Sequence, residues 1–235
     1  MGTRKADLAA PEDRQVLGQV PTTRIVGGVA VAYAASVIVQ NAMFVGTGSP
    51  GYGDPLGDVL AYHAANRAAV AVAAGLEALN LPLLLLFVTG LHGLVRRRGA
   101  ADWSRLAVAA AATFSAISAL VIATHIAVVL AADGKAEPTP AFALIWQLHA
   151  AVFALTLPAL GATCIGAALA THTSGLTRPW QRLLGVAGGS SLILAGAGNL
   201  AIADGSPLVF VGVSGLAAWL VWLVVTGLRL IRGQG

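Results

Sequence analysis

The chain is poor in charge, has a single cysteine, and lacks any extended polar segment large enough to fold separately. Charged residues make up 10% of its 235 residues, where a soluble domain carries roughly a quarter, and this excludes an ordinary soluble fold. The lone Cys164 excludes an intrachain disulfide and says nothing of the redox compartment. Lysines are confined to Lys5 and Lys135, outside the apolar runs, which excludes a retinal-type Schiff base. No Gly-x-Ser-x-Gly elbow and no His-Glu-x-x-His helix occurs, so the common hydrolase and zinc-protease signatures are missing, and the sequence reads as leaning away from an enzyme. Alternating strand-like segments of about ten residues, the mark of outer-membrane barrels, are also absent.

What is present is apolar: 57% of residues, with a mean hydropathy of +0.80. They fall in six blocks, 25–45, 68–95, 106–132, 141–170, 183–203 and 208–228. A helix needs about 20 apolar residues to cross roughly 30 Å of hydrocarbon, and backbone amides in lipid find partners only within a helix. The expected fold is therefore all-α, a polytopic bundle of six transmembrane helices over residues 25–232, preceded by a cytoplasmic tail over 1–24. Residues 46–67 form an external loop. Asp54 is expected to cap a short interfacial helix there, with Pro55 at its first position and Leu56, Val59 and Leu60 on its apolar face.

Lys and Arg set orientation. With the N-terminus inside, the cytoplasmic pieces hold Arg4, Lys5, Arg14, Arg24, Arg96, Arg97, Arg98, Arg105, Arg178, Arg182, Arg229 and Arg232, leaving only Arg67 and Lys135 outside. Asp54, Asp58, Asp133, Glu137 and Asp204 fall outside as well. Trp103, Trp180 and Trp222 are expected as an aromatic belt at the inner interface. Both termini then lie in the cytoplasm of a bacterial plasma membrane. The pI near 9.8 is a topology signal and calls for no nucleic-acid partner.

Orientation turns position along each block into depth. Polar side chains inside a bilayer cost free energy, so each is a candidate site. Gln40, Asn41, Glu77, Asn80, His125, His149 and Asn199 all fall in the outer half, with Arg67 at the outer edge. Glu77 and Asn80 share a face, and Asn66, three helical turns before Glu77, is expected on the same stripe beside His63 and Arg67. Ser115, Ser118 and His125 keep similar spacing, while Trp146, His149, Phe153 and Thr156 form a stripe from which Gln147 points away. Pro82 and Pro158 each interrupt a helix and can kink it open. These positions predict an outward-facing polar pocket centred on Glu77, with His125 and His149 as partners, suited to proton exchange or to a small ligand. The plain alternative is that the same groups satisfy one another as interhelical glue.

Paired histidines on neighbouring helices can hold haem, so His125 and His149 also define a b-type haem alternative, an electron carrier, although no cofactor is otherwise expected. Gly185, Gly188, Gly189, Gly196 and Gly198 make the fifth block a close-packing face, within the bundle or in a homodimer. Asp58 to Leu91, an outer helix with Tyr62, Asn66 and Arg67 entering one with Glu77, Asn80 and Pro82 before an arginine loop, resembles a six-helix integral membrane protein family of actinobacteria of unknown function. That resemblance implies membrane residence and no activity. The classes carried forward are a small-molecule or proton-handling membrane protein, a non-catalytic subunit with a membrane-protein partner or a second copy, and the haem carrier.

Overall fold

The computed structural model describes residues 11–99 and 101–233, with side chains from Thr22 onward. Arg4 and Lys5 lie outside the described residues, as does the side chain of Arg14. Among the described residues the chain is helical throughout, without strands: α1 (Pro11–Thr47), α2 (Leu56–Ala65), α3 (Arg67–Arg96), α4 (Asp102–Ala132), α5 (Pro140–Thr173), α6 (Pro179–Ala197), α7 (Asn199–Ala203) and α8 (Val209–Ile231). Five segments are long and apolar enough to cross a membrane: Thr22–Thr47, Arg67–Arg96, Asp102–Ala132, Pro140–Thr173 and Val209–Ile231.

The block 183–203 is two helices. α6 starts at Pro179, so its first turn carries Trp180, Gln181 and Arg182, and the helix breaks at Gly198 (φ −91°, ψ 34°) before α7. A Cβ at Gly198 would collide with Leu208, so the break lies where the chain passes close to the start of α8. Polar residues at one end and the break at the other leave α6 without a long apolar window.

The long helices form a closed ring in the order α1, α3, α4, α5, α6, α8 and back to α1, each packed on two neighbours. Glycine contacts close one side of it. A Cβ on Gly161 of α5 would sit 2.5 Å from the Gly189 carbonyl of α6, and one on Gly189 would sit 2.6 Å from the Gly161 carbonyl. Gly215 of α8 meets Gly188 of α6 in the same way (2.6 Å), as do Gly27 of α1 and Gly227 of α8 (2.5 and 2.8 Å). Missing side chains let the backbones touch, which is how helices associate when lipid offers no hydrophobic drive between them. The α6 glycines thus serve packing within the chain. Outward-facing Leu183, Leu194, Leu86 and Leu120 give the ring an apolar exterior, each more than half exposed.

At the end of the ring carrying the Arg96–Arg98 loop, the interior is plugged. Trp219 and Trp222 are fully buried and stacked 4.8 Å apart at 10°, with Phe87 edge-on to both. Trp222 is therefore a core residue rather than part of an interfacial belt, because it faces the ring axis. Trp103 and Trp180 are about half exposed. The opposite, acidic end holds Asp54, Asp58, Asp133, Glu137 and Asp204 in its connections and terminal turns. There α2 folds over α4 and α5: Val59 and Leu60 bury against Val128, Ala132, Phe142 and Trp146, with Leu56 packed beside them. Asp54 does not cap α2. Its Oδ2 accepts from the Gly51 amide (2.8 Å) and tightens the preceding loop, while Pro55 occupies the cap position.

Candidate functional site

With one end plugged, the ring is hollow towards the acidic end. An inner cavity of about 180 Å³ reaches residues of all six ring helices, and an outer one of about 550 Å³ lies between it and the loops of the acidic end. Gln40, Asn41, Glu77, Val121, Phe153 and Val209 border both, so the two meet at the level of Glu77. Asn80 and Leu81 precede Pro82, and Thr156 and Leu157 precede Pro158; all four line the inner cavity, which thus lies where both helices carry a proline.

The structure brings six of the sequence candidates together. Gln40, Asn41, Glu77 and Asn80 sit at the junction or just below it, and His125 and His149 line the outer cavity. Asn80 Nδ2 donates to Gln40 Oε1 (2.8 Å), and Asn41 Nδ2 donates to the Val37 carbonyl (2.9 Å). Asn80 Oδ1 is buried without a partner. Glu77 takes part in no hydrogen bond or ion pair among the described residues.

Two candidates fall elsewhere. Arg67 points out to Asp133, 2.6 Å away, and both side chains are more than half exposed. The stripe from Asn66 to Glu77 fails because Asn66 is the joint between α2 and α3, its Nδ2 bonded to the Tyr62 carbonyl (3.1 Å), so helical period does not run through it. Asn199 is exposed on α7, because the break at Gly198 turns that segment away from the α6 register.

Sequence reasoning left Tyr52 unassigned and placed His63 only beside the Glu77 stripe. Both belong to the outer cavity. His63 packs edge-on to His125 (5.5 Å) and Trp146 (5.7 Å), and His125 packs on His149 (4.9 Å). Tyr52 reaches in from the α1–α2 loop to Trp146, Phe153 and His149 at 5.2, 5.5 and 5.9 Å. The signal for His63 was its spacing: one turn beyond Val59, it shares the buried face of α2. For Tyr52 it was a lone aromatic between Gly51 and Gly53.

Burial and the nearby Glu77 push the Tyr52 hydroxyl well above its ordinary range, so it stays protonated. Burial pushes the His63 imidazole below its ordinary value, against its bond to the Val59 carbonyl (2.7 Å). Docked α2 therefore holds His63 neutral, with His125 and Trp146 facing it. Docking is strongest above the free imidazole pKa of about 6.5 and weakens as pH falls below it. Corrected amide exchange over 56–65 should rise severalfold between about pH 7.5 and 5, and His63→Gln should flatten that response. Equal pH slopes in wild type and variant would contradict this account.

The mouth of the outer cavity is formed by the α1–α2 loop and the α7–α8 turn, whose backbones touch at Gly53 and Gly205. The His125 and His149 ring centroids lie 4.9 Å apart, the rings tilted at 42° to each other. Among the described residues no three His, Cys, Asp or Glu side chains are arranged to hold a metal ion. No protein-family model, curated protein or solved structure matches the chain.

Proposed function

We propose that the chain is a six-crossing plasma-membrane protein, both termini cytoplasmic, that binds a small molecule in a pocket open to the outside. The carrying observation is Glu77, an unpartnered carboxyl that borders two adjoining cavities. A subunit or scaffold whose polar groups were only glue would have partnered it, since an unsatisfied ionisable group in a membrane interior is costly. Proton handling is the second reading, favoured by the presence of His63, His125 and His149 in the same cavity. The sixth crossing is α6 continued by α7, because backbone contacts clamp α6 between α5 and α8. The orientation rests on the arginines gathered at the plugged end.

The test uses single cysteines in a Cys164→Ala background in intact cells. Glu137→Cys and Asp204→Cys should react with an impermeant maleimide, while Arg97→Cys and Arg178→Cys should stay protected until the membrane is opened. If Arg178 and Asp204 label from the same side, α6 does not cross. In the purified protein Ser118→Cys, on the inner cavity wall, should react with a small uncharged methanethiosulfonate, and an inert thiol there would overturn the pocket.

A further inference from the structure

The chemistry of the pocket walls narrows what it takes, on the reading above that it is a binding pocket. We infer that it recognises a small protonated arylalkylamine, its ammonium at Glu77 and its ring in the inner cavity.

Charge is the first observation. Neither cavity is bordered by a lysine or an arginine, and their acidic residues are Glu77 and, at the mouth, Asp54. An anion would meet no counter-charge, whereas a cation meets an unpartnered carboxyl. Charge-assisted N–H···O bonds are about twice as strong as neutral ones.

Hydrogen-bond polarity is the second. A backbone carbonyl only accepts, so the short contacts of His63 Nδ1 to Val59 O (2.7 Å) and His149 Nδ1 to Val121 O (3.2 Å) place hydrogens on both Nδ1 atoms. Each Nε2 is then left as an acceptor. The Asn80 and Asn41 amide nitrogens are engaged by Gln40 and Val37, leaving both Oδ1 atoms to accept, and that of Asn80 is buried and unpartnered. Donors are present too, among them the Gln40 amide, the second N–H of Asn41 and of Asn80, the Tyr52 hydroxyl and the buried, unpartnered Trp146 indole. An occupant that supplies N–H groups satisfies the acceptors, the buried Asn80 Oδ1 above all, and a quaternary ammonium does not.

Size is the third. The inner cavity is walled below Glu77 by Leu81, Leu157, Leu160, Leu192 and Leu216 and measures about 180 Å³. An apolar cavity of about 150 Å³ is known to hold benzene. Above it Tyr52, Trp146 and Phe153 offer aromatic surface to a cation on its way in.

The experiment is calorimetric titration of the purified full-length protein at pH 7.5 with phenethylammonium, benzyltrimethylammonium, 3-phenylpropionate, 2-phenylethanol and Zn²⁺. Phenethylammonium should bind, and the other organic probes should bind at least tenfold more weakly. Glu77→Gln should weaken phenethylammonium by about thirtyfold or more, the loss expected on removing one partner of a buried charge pair. Leu160→Trp should abolish binding by filling the ring site while leaving the carboxyl in place. Melting curves of both variants establish that they fold, and if one does not, the other decides. Preferred binding of the anion, the alcohol or the quaternary ion would overturn the amine assignment, as would Zn²⁺ binding that excludes phenethylammonium. If no probe binds while Ser118→Cys still reacts, the amine class fails and the pocket stands; if that thiol is inert as well, both fail.

Discussion

Gly189→Val should cost at least about 3 kcal/mol, at the upper end of core overpacking, and lower the melting temperature by roughly 6 °C or more in a chain of this size. The Cβ alone would lie 2.6 Å from the Gly161 carbonyl and 2.6 Å from Ile165 Cγ1. The carbonyl belongs to the α5 backbone and cannot yield cheaply, and retreat of α6 would drive it into α8, which packs so close that even a Cβ on Gly188 would lie 3.0 Å from the Gly215 carbonyl. The strain therefore falls on two helix contacts at once. Gly75→Val is the matched control, since nothing lies within 4 Å of a Cβ there. Melting of both variants in the same detergent checks the prediction; equal midpoints would mean that the α5–α6 contact does not hold the ring together.

The second large effect is expected at the mouth. Gly205 has φ +85°, a region that costs other residues about 1–2 kcal/mol, and a Cβ there would run into the Gly53 backbone, 2.5 Å from its nitrogen. Gly205→Val should separate the α7–α8 turn from the α1–α2 loop. With backbone strain and overlap together near 3 kcal/mol, amide exchange over 48–55 should rise about a hundredfold. Gly134→Val isolates the strain alone, because Gly134 also has positive φ (65°) but open space around it. It should leave exchange over 48–55 unchanged. If the two variants behave alike, the loops are not pinned at that crossing.

The contrast between these sites reflects what a sequence can carry. Periodicity within one unbroken helix was a sound guide: Ser118 and His125 on α4, and Trp146, His149, Phe153 and Thr156 on α5, all face inward, and Gln147 faces out. Glu77 with Asn80 was legible for the same reason. Periodicity failed wherever the helix was interrupted. Asn66 ends one register and Arg67 begins another, and Asn199 follows the Gly198 break, so neither could be aligned with the pocket from spacing. Trp222 was misread because depth along a helix does not tell which way a side chain faces, and its neighbour Trp219 made the ring axis its better environment. Tyr52 lies in a loop, where no period applies. The order of helices around the ring depends on contacts between distant parts of the chain, such as Gly27 with Gly227, which local pattern does not encode.

That last contact has a consequence for biosynthesis. α1 is the earliest helix in the ring to leave the ribosome and α8 the latest, yet they are neighbours. Until α8 is inserted, Gly27 of α1 and Gly188 of α6 have no partner, and the space around Glu77 stays open sideways to lipid rather than walled by protein. Nascent chains halted after α7 should therefore be the species most exposed to quality-control proteases, and arrival of α8 the step that protects all the helices together.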